Sequence, residues 1–130
     1  MLGLNYMHLQ KITHRDIKPE NILLVSDDIK NFDIKIADLG FAAKIDKETG
    51  LDLVLGTPLY MAPELIKHQR YNEKVDVWSL GIITYQLLSG KTPFDGKNIK
   101  KINQNILFKE LKFPDRQWKN ISENAKDFIK

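Results

Sequence analysis

At 130 residues, with 42% hydrophobic and 28% charged side chains, the chain has the apolar content of one small globular domain, which excludes wholesale disorder. Its formal charge of +3 is compatible with an anionic small molecule but too weak to argue for nucleic acid, and Lys97, Lys100 and Lys101 read as a solvated helix face. The absence of cysteine excludes disulfides and thiolate metal sites and suits a reducing, intracellular location, with the cytoplasm expected.

The opening "MLGLNYMHLQK" lacks the basic start and continuous apolar run of a signal peptide. Residues 1 to 10 predict a helix, with Leu2, Tyr6 and Leu9 at helical spacing. A polar loop follows to Asn21. "ILLV" at 22–25 and "IKIA" at 34–37 predict two short strands around the turn-rich "SDDIKNFD". Antiparallel pairing would bring Asn21, entering the first strand, near Asp38, leaving the second.

Residues 39 to 60 carry Gly40, Gly50, Gly56 and Pro58 without sustained periodicity and predict a long functional loop. "APELIK" predicts a short helix with proline near its start. Asn72 is placed to cap a long helix, with Glu73 in its first turn and Gly90 and Pro93 closing it. Val75, Val77, Trp78, Leu80, Ile82, Ile83, Leu87 and Leu88 lie nearly all round that helix, so it should be the hub of the domain. Ser79, Thr84 and Gln86 interrupt its apolar run, and it is too short to span a bilayer. Ile99, Ile102 and Ile106 mark another helix. Ser122 starts a last one, with Ala125, Phe128 and Ile129 on one face. No cap closes it, so the fold is expected to be incomplete at both ends. The elements sum to a mainly α fold with a small β-hairpin.

The richest stretch is "HRDIKPENILL", residues 14 to 24. So many polar groups beside a core run must serve one another or wait for a ligand. Taken singly, Asp16 and Asp38 read as capping or turn carboxylates, Asn21 as a turn residue and His14 as a packed core histidine. Taken together with three further motifs, they read differently. "HRDIKPEN" is similar to the catalytic loop of eukaryotic protein kinases, and "DLG" at 38–40 resembles their metal-binding DFG. "GTPLYMAPE" at 56–64 resembles the end of their activation segment, and "DVWSLGIITYQLLSGKTPF" at 76–94 the central helix of their larger lobe. The motifs stand in family order and the similarity covers essentially the whole chain.

The resemblance implies a protein kinase-like large (C-terminal) lobe, with residues 1–130 a partial kinase domain whose N-terminal lobe is absent. Lys18 after "RD", together with "GTPLYMAPE", resembles serine/threonine kinases, and the hub helix is most similar to the calcium/calmodulin-regulated group, with the unc-51-like group as the alternative. ATP and Mg2+ are the implied cofactors, and a protein bearing serine or threonine the implied partner. No nucleic-acid or membrane partner is expected, and the oligomeric state is open. By resemblance Asp16 accepts or orients the substrate hydroxyl proton, and Lys18 offsets charge on the transferred phosphoryl group. Asn21 and Asp38 would ligate magnesium, and Leu23 would floor the adenine. Glu20 belongs to the nucleotide-side set and, in some relatives, meets a basic residue of the peptide, which implies a basic substrate.

Other positions carry structural or regulatory expectations. His14 is structural, and Asp76 accepts hydrogen bonds from the catalytic-loop backbone. Arg15 pairs with a phosphate on the activation loop; Leu53 stands at the usual phosphorylation position, leaving Asp52 or phosphorylated Thr49 as substitutes. Leu39 replaces the usual phenylalanine as an apolar packer. Thr57 is a loop hydroxyl near Asp16 and Lys18. Glu64 resembles a glutamate whose arginine lies beyond the last residue. The chain also departs from the family: its seven glycines make no GxG, and no VAIK-type lysine precedes residue 14. Little or no activity is therefore expected from it alone. The alternative is an inert kinase fragment that acts, if at all, as a protein-binding module.

Overall fold

The hub expected from the apolar run is helix α3, Lys74–Ser89, in the computed structural model, which describes residues 2–28, 33–45 and 51–130. Asn72 caps it from just outside, its Oδ1 accepting the Lys74 N–H at 3.0 Å. At the far end Gly90 turns left-handed with φ 74°, and its N–H closes on the Gln86 carbonyl. Ile82 and Ile83 pack with Leu4, Ile17, Tyr60, Phe94 and Ile106, while Val75 joins Ala62, Leu65 and Tyr71. Trp78 touches both clusters and stacks on Phe94 at 6.0 Å, so one helix joins the two halves of the core. Fully burying each such aliphatic side chain stabilises by roughly 1.5–3 kcal/mol. The expectation of burial all round needs correction. Val77 is 54% and Leu87 77% exposed, because no described element covers that side.

Helix α1, Leu2–Leu9, corrects a second expectation. The helical spacing is right but the face is not: Leu4 is buried, whereas Leu2, Tyr6 and Leu9 point outward. Leu4 and His8 are also four apart, and contacts with Ile17 and Asp76 decide between the two stripes.

The hairpin formed as expected. Strand β2, Ile22–Leu24, runs antiparallel to β3, Ile34–Ile36, with Ile22 opposite Ile36 and Leu24 opposite Ile34. A second ladder went unread: β1, Ile12–Thr13, pairs with β4, Ala43–Lys44. The stretch read as one long loop thus holds β4 and the 3-10 turns Leu39–Phe41 and Pro58–Tyr60. Two-residue strands carry no period for a pattern to reveal.

Helix α2, Pro63–Ile66, and the bridge between Leu51 and Tyr71 brace this region against α3. Beyond α3 come α4, Ile99–Phe108, capped by Asn98, then α5, Asp115–Trp118, and α6, Glu123–Ile129, capped by Ser122. Trp118 of α5 is buried, 4.7 Å from both Tyr85 and Phe113, and the Tyr85 hydroxyl donates to the Lys112 carbonyl at 2.8 Å. Among the described residues no helix is long and apolar enough to cross a membrane.

Candidate active site

The loop of residues 14–18 is held from below by one carboxylate. Asp76, wholly buried in the first turn of α3, accepts the N–H groups of His14 at 2.8 Å and Arg15 at 2.9 Å. The His8 ring nitrogen Nε2 donates to the same group at 2.8 Å. Arg15 sits in the left-handed region at φ 69°, a conformation costing of the order of 1–3 kcal/mol, and two charge-assisted bonds on consecutive amides hold the backbone there. His14 is also fully buried. Its Nδ1 accepts the Asp16 N–H at 3.3 Å, so Nε2 carries the proton and donates to the Ala37 carbonyl at 2.9 Å. The imidazole thus ties the loop to the end of β3.

Asp16 is buried at the centre of a small polar network. Its Oδ2 meets Lys18 Nζ at 2.7 Å and its Oδ1 accepts the Thr57 hydroxyl at 2.8 Å, while Lys18 also donates to Thr57 at 3.1 Å. Asn21 Nδ2 donates to the Asp16 carbonyl at 2.8 Å and approaches Oδ2 at 3.4 Å. Burial pushes the Asp16 carboxyl up, but hydrogen bonds from Lys18 and Thr57 and the Lys18 charge outweigh it, so it lies below its ordinary value. The hydrogen bond to Asp16 raises Lys18 above its own, against its partial desolvation, with help from the charges of Asp16, Glu20 and Asp38. Both groups are ionised at neutral pH.

Asn21 lies opposite Ala37, whose N–H donates to the Asn21 carbonyl at 2.9 Å, and Asp38 follows directly. The Asn21 amide nitrogen is engaged by Asp16, which leaves Oδ1 without a partner among the described residues. Asp38 is exposed, left-handed at φ 58°, and one of its oxygens accepts the Gly40 N–H at 3.2 Å. No group of three or more His, Cys, Asp or Glu suited to a metal ion occurs among the described residues. Two oxygen donors, one on buried Asn21 and one on exposed Asp38, suit a magnesium ion that draws its remaining ligands from water and phosphate, which is how that ion usually binds. Leu23 on β2 is 51% and Leu39 60% exposed. A cavity of about 370 Å³ opens between α1 and the hairpin, walled by Leu4, Met7, Ile22, Ile36, Leu39 and Leu80.

The remaining residues singled out in the sequence lie as follows. Glu20 is exposed in the 3-10 turn Pro19–Asn21. Burial first, and then the Glu20 charge, raise the Tyr60 hydroxyl, which donates to Gln86 at 3.0 Å. Glu64 in α2 is half-buried, and its carboxylate has no partner among the described residues. Thr49 lies outside them, and Asp52 and Leu53 are exposed. Arg15 donates through Nε to the Phe41 carbonyl and through Nη1 to the Tyr71 hydroxyl at 3.3 Å. Gly56 has φ 121°, and a Cβ there would stand 2.8 Å from the Arg15 carbonyl oxygen. His8, Gly56 and Tyr71 went unread as parts of the site. A glycine in a loop was the one signal that could have found Gly56; nothing in the sequence marks the other two.

Residues 1–130 match the protein kinase domain family. Myosin light chain kinase A of Dictyostelium discoideum is 41% identical over 127 residues, 98% of this chain and 43% of that protein. Calcium-dependent protein kinase 5 of Plasmodium falciparum is 44% identical over 127 residues, 98% of this chain and 22% of that protein. Serine/threonine-protein kinase ATG1a of Arabidopsis thaliana is 42% identical over 130 residues, 99% of this chain and 21% of that protein. The chain spans less than half the length of each.

Proposed function

The chain belongs to the protein kinase family, and on that premise we propose that it is the large-lobe part of a serine/threonine protein kinase, with Asp16 at the point of phosphoryl transfer. The observation that carries this reading is the meeting of Asp16, Lys18, Thr57 and Asn21 within hydrogen-bond reach, one residue pair from Asp38. An ionised carboxylate offers about four acceptor sites. Lys18, Thr57 and, more weakly, Asn21 take three, and a serine or threonine hydroxyl can use the fourth. Asp16 there orients the attacking oxygen and receives its proton. Lys18, already charged beside it, offsets negative charge that builds on the phosphoryl group. Asn21 Oδ1 and the Asp38 oxygen not engaged by Gly40 would hold magnesium, and Leu23 would lie under the adenine. Bound ATP–magnesium supplies the phosphoryl group itself. A need for ATP supports an intracellular location for such an enzyme.

These residues form one side of a nucleotide site. The sequence has no GxG to cover phosphates from the other side, so positioning worth several kcal/mol is missing from the chain alone, and it should transfer phosphate slowly or not at all. Binding is therefore the better test. ATP–magnesium titrated against the full chain should raise its Tm saturably, by the equivalent of about 2.7 kcal/mol at a hundredfold excess over Kd. Asp38→Asn, which tolerates the left-handed backbone and keeps an oxygen for the Gly40 N–H, should largely remove the rise while leaving the ligand-free Tm nearly unchanged. A flat titration of the unaltered chain would overturn the reading. It would favour a protein-binding fragment instead, for which the exposed Leu39 at the mouth of the apolar cavity and the exposed Leu23 on β2 are the supporting observations.

A further inference from the structure

Arg15 is half-buried and permanently charged, yet it forms no ion pair among the described residues. Among the described residues its guanidinium donates only to neutral oxygens, the Phe41 carbonyl and the Tyr71 hydroxyl. Tyr71 is buried, and its single hydroxyl proton goes to the Leu53 carbonyl at 2.6 Å. The phenol oxygen thus receives from Arg15 and donates to Leu53, a chain in which each bond polarises the next. The backbone of Tyr71 also exchanges both of its hydrogen bonds with Leu51, at 3.1 and 3.0 Å. One residue fastens 51–53 at two levels. A few residues on, Gly56 passes against the Arg15 carbonyl and Thr57 reaches Asp16 and Lys18.

We propose that Tyr71 is a positioning residue whose hydroxyl, bridging the Arg15 guanidinium and the Leu53 carbonyl, holds segment 51–57 against the Asp16 loop and so sets the Thr57–Asp16 contact through uncharged partners. The segment then needs no anionic group to be ordered at this point. The consequence for catalysis rests on the phosphoryl-transfer reading; the tether does not, and it is tested without nucleotide.

Tyr71 also packs with Ala62, Leu65 and Val75, so its ring must be kept while its oxygen is removed. In Tyr71→Phe of the full chain, amides at 53–57 should exchange about tenfold faster, as loss of one hydrogen bond implies, while those of α4 and α5 stay unchanged. The Thr57 amide and methyl resonances should shift as well, while those of Ala62, Leu65 and Val75, which pack on the Tyr71 ring, stay in place, a pattern that weaker core packing would not produce. Arg15→Gln should loosen the same amides, and the double variant should be no worse than the worse single one. Where Arg15→Gln fails to fold, Tyr71→Phe alone decides. Unchanged exchange at 53–57 in Tyr71→Phe would overturn the proposal. So would a uniform loss of protection across the chain, or a failure of Tyr71→Phe to fold, since either makes the hydroxyl a support of the whole core. Absence of ATP–magnesium stabilisation in the unaltered chain would sink the nucleotide-site reading and leave the tether standing.

Discussion

Asp76 shows how much can hang on one side chain. Its two oxygens satisfy two consecutive backbone amides and a histidine in a place that water does not reach. Asp76→Ala leaves the His14 and Arg15 N–H groups without acceptors, each costing about 1–3 kcal/mol, and frees Arg15 to leave its left-handed conformation. A loss of about 3–5 kcal/mol is expected in urea unfolding; a loss below about 1 kcal/mol would show that relaxed backbone or entering water replaces the carboxylate. The expectations at this scale that could be stated from spacing concern neighbours in sequence. Asp16, Lys18 and Asn21 lie within one turn of chain, and the strand pairing then brings Ala37 and Asp38 to them. The partners of Arg15 could not be read, because Phe41 and Tyr71 lie 26 and 56 residues away and an arginine's reach carries no sequence period.

At the scale of elements, legibility followed length. The sixteen-residue α3 and the three-residue strands of the hairpin announced themselves by apolar pattern, and Asn72 and Gly90 by cap chemistry. The two-residue ladder of β1 and β4 has nothing to announce it, and α1 offered two plausible stripes of which tertiary contact chose one. Helix α5 is the extreme case. Four residues cannot hold a helix in water, so α5 exists because Trp118 is clamped by Tyr85 and Phe113. Trp118→Ala should therefore cost about 3–5 kcal/mol and release the 109–118 stretch from the end of α3. Denaturant unfolding measures the first effect and amide exchange of residues 115–119 the second. A cost below about 1 kcal/mol would mean that α5 is held by its neighbours in sequence.

For the whole molecule, the charged pair at the loop sets the pH range of greatest stability. Folding holds Asp16 below its ordinary value of 3.8, so its contribution is present above that pH and is lost as pH falls through the lower folded value. Folding raises Lys18 above 10.5, so its contribution is present below that pH and is lost as pH rises through the higher folded value. Stability measured by denaturant should thus have a plateau between roughly pH 4 and 10 from this pair, and Asp16→Asn should soften its acid edge. An acid edge unaltered in that variant would place the titrating carboxylate elsewhere. The clamp on the loop has a further consequence in time. His14 and Asp76 are separated by 62 positions, so a ribosome adding about 5–20 residues per second delivers the carboxylate roughly 3 to 12 s after the amides it must receive. Until then the nascent loop has no template for its shape, and the site is assembled late, by the arrival of a helix and not by anything written within the loop.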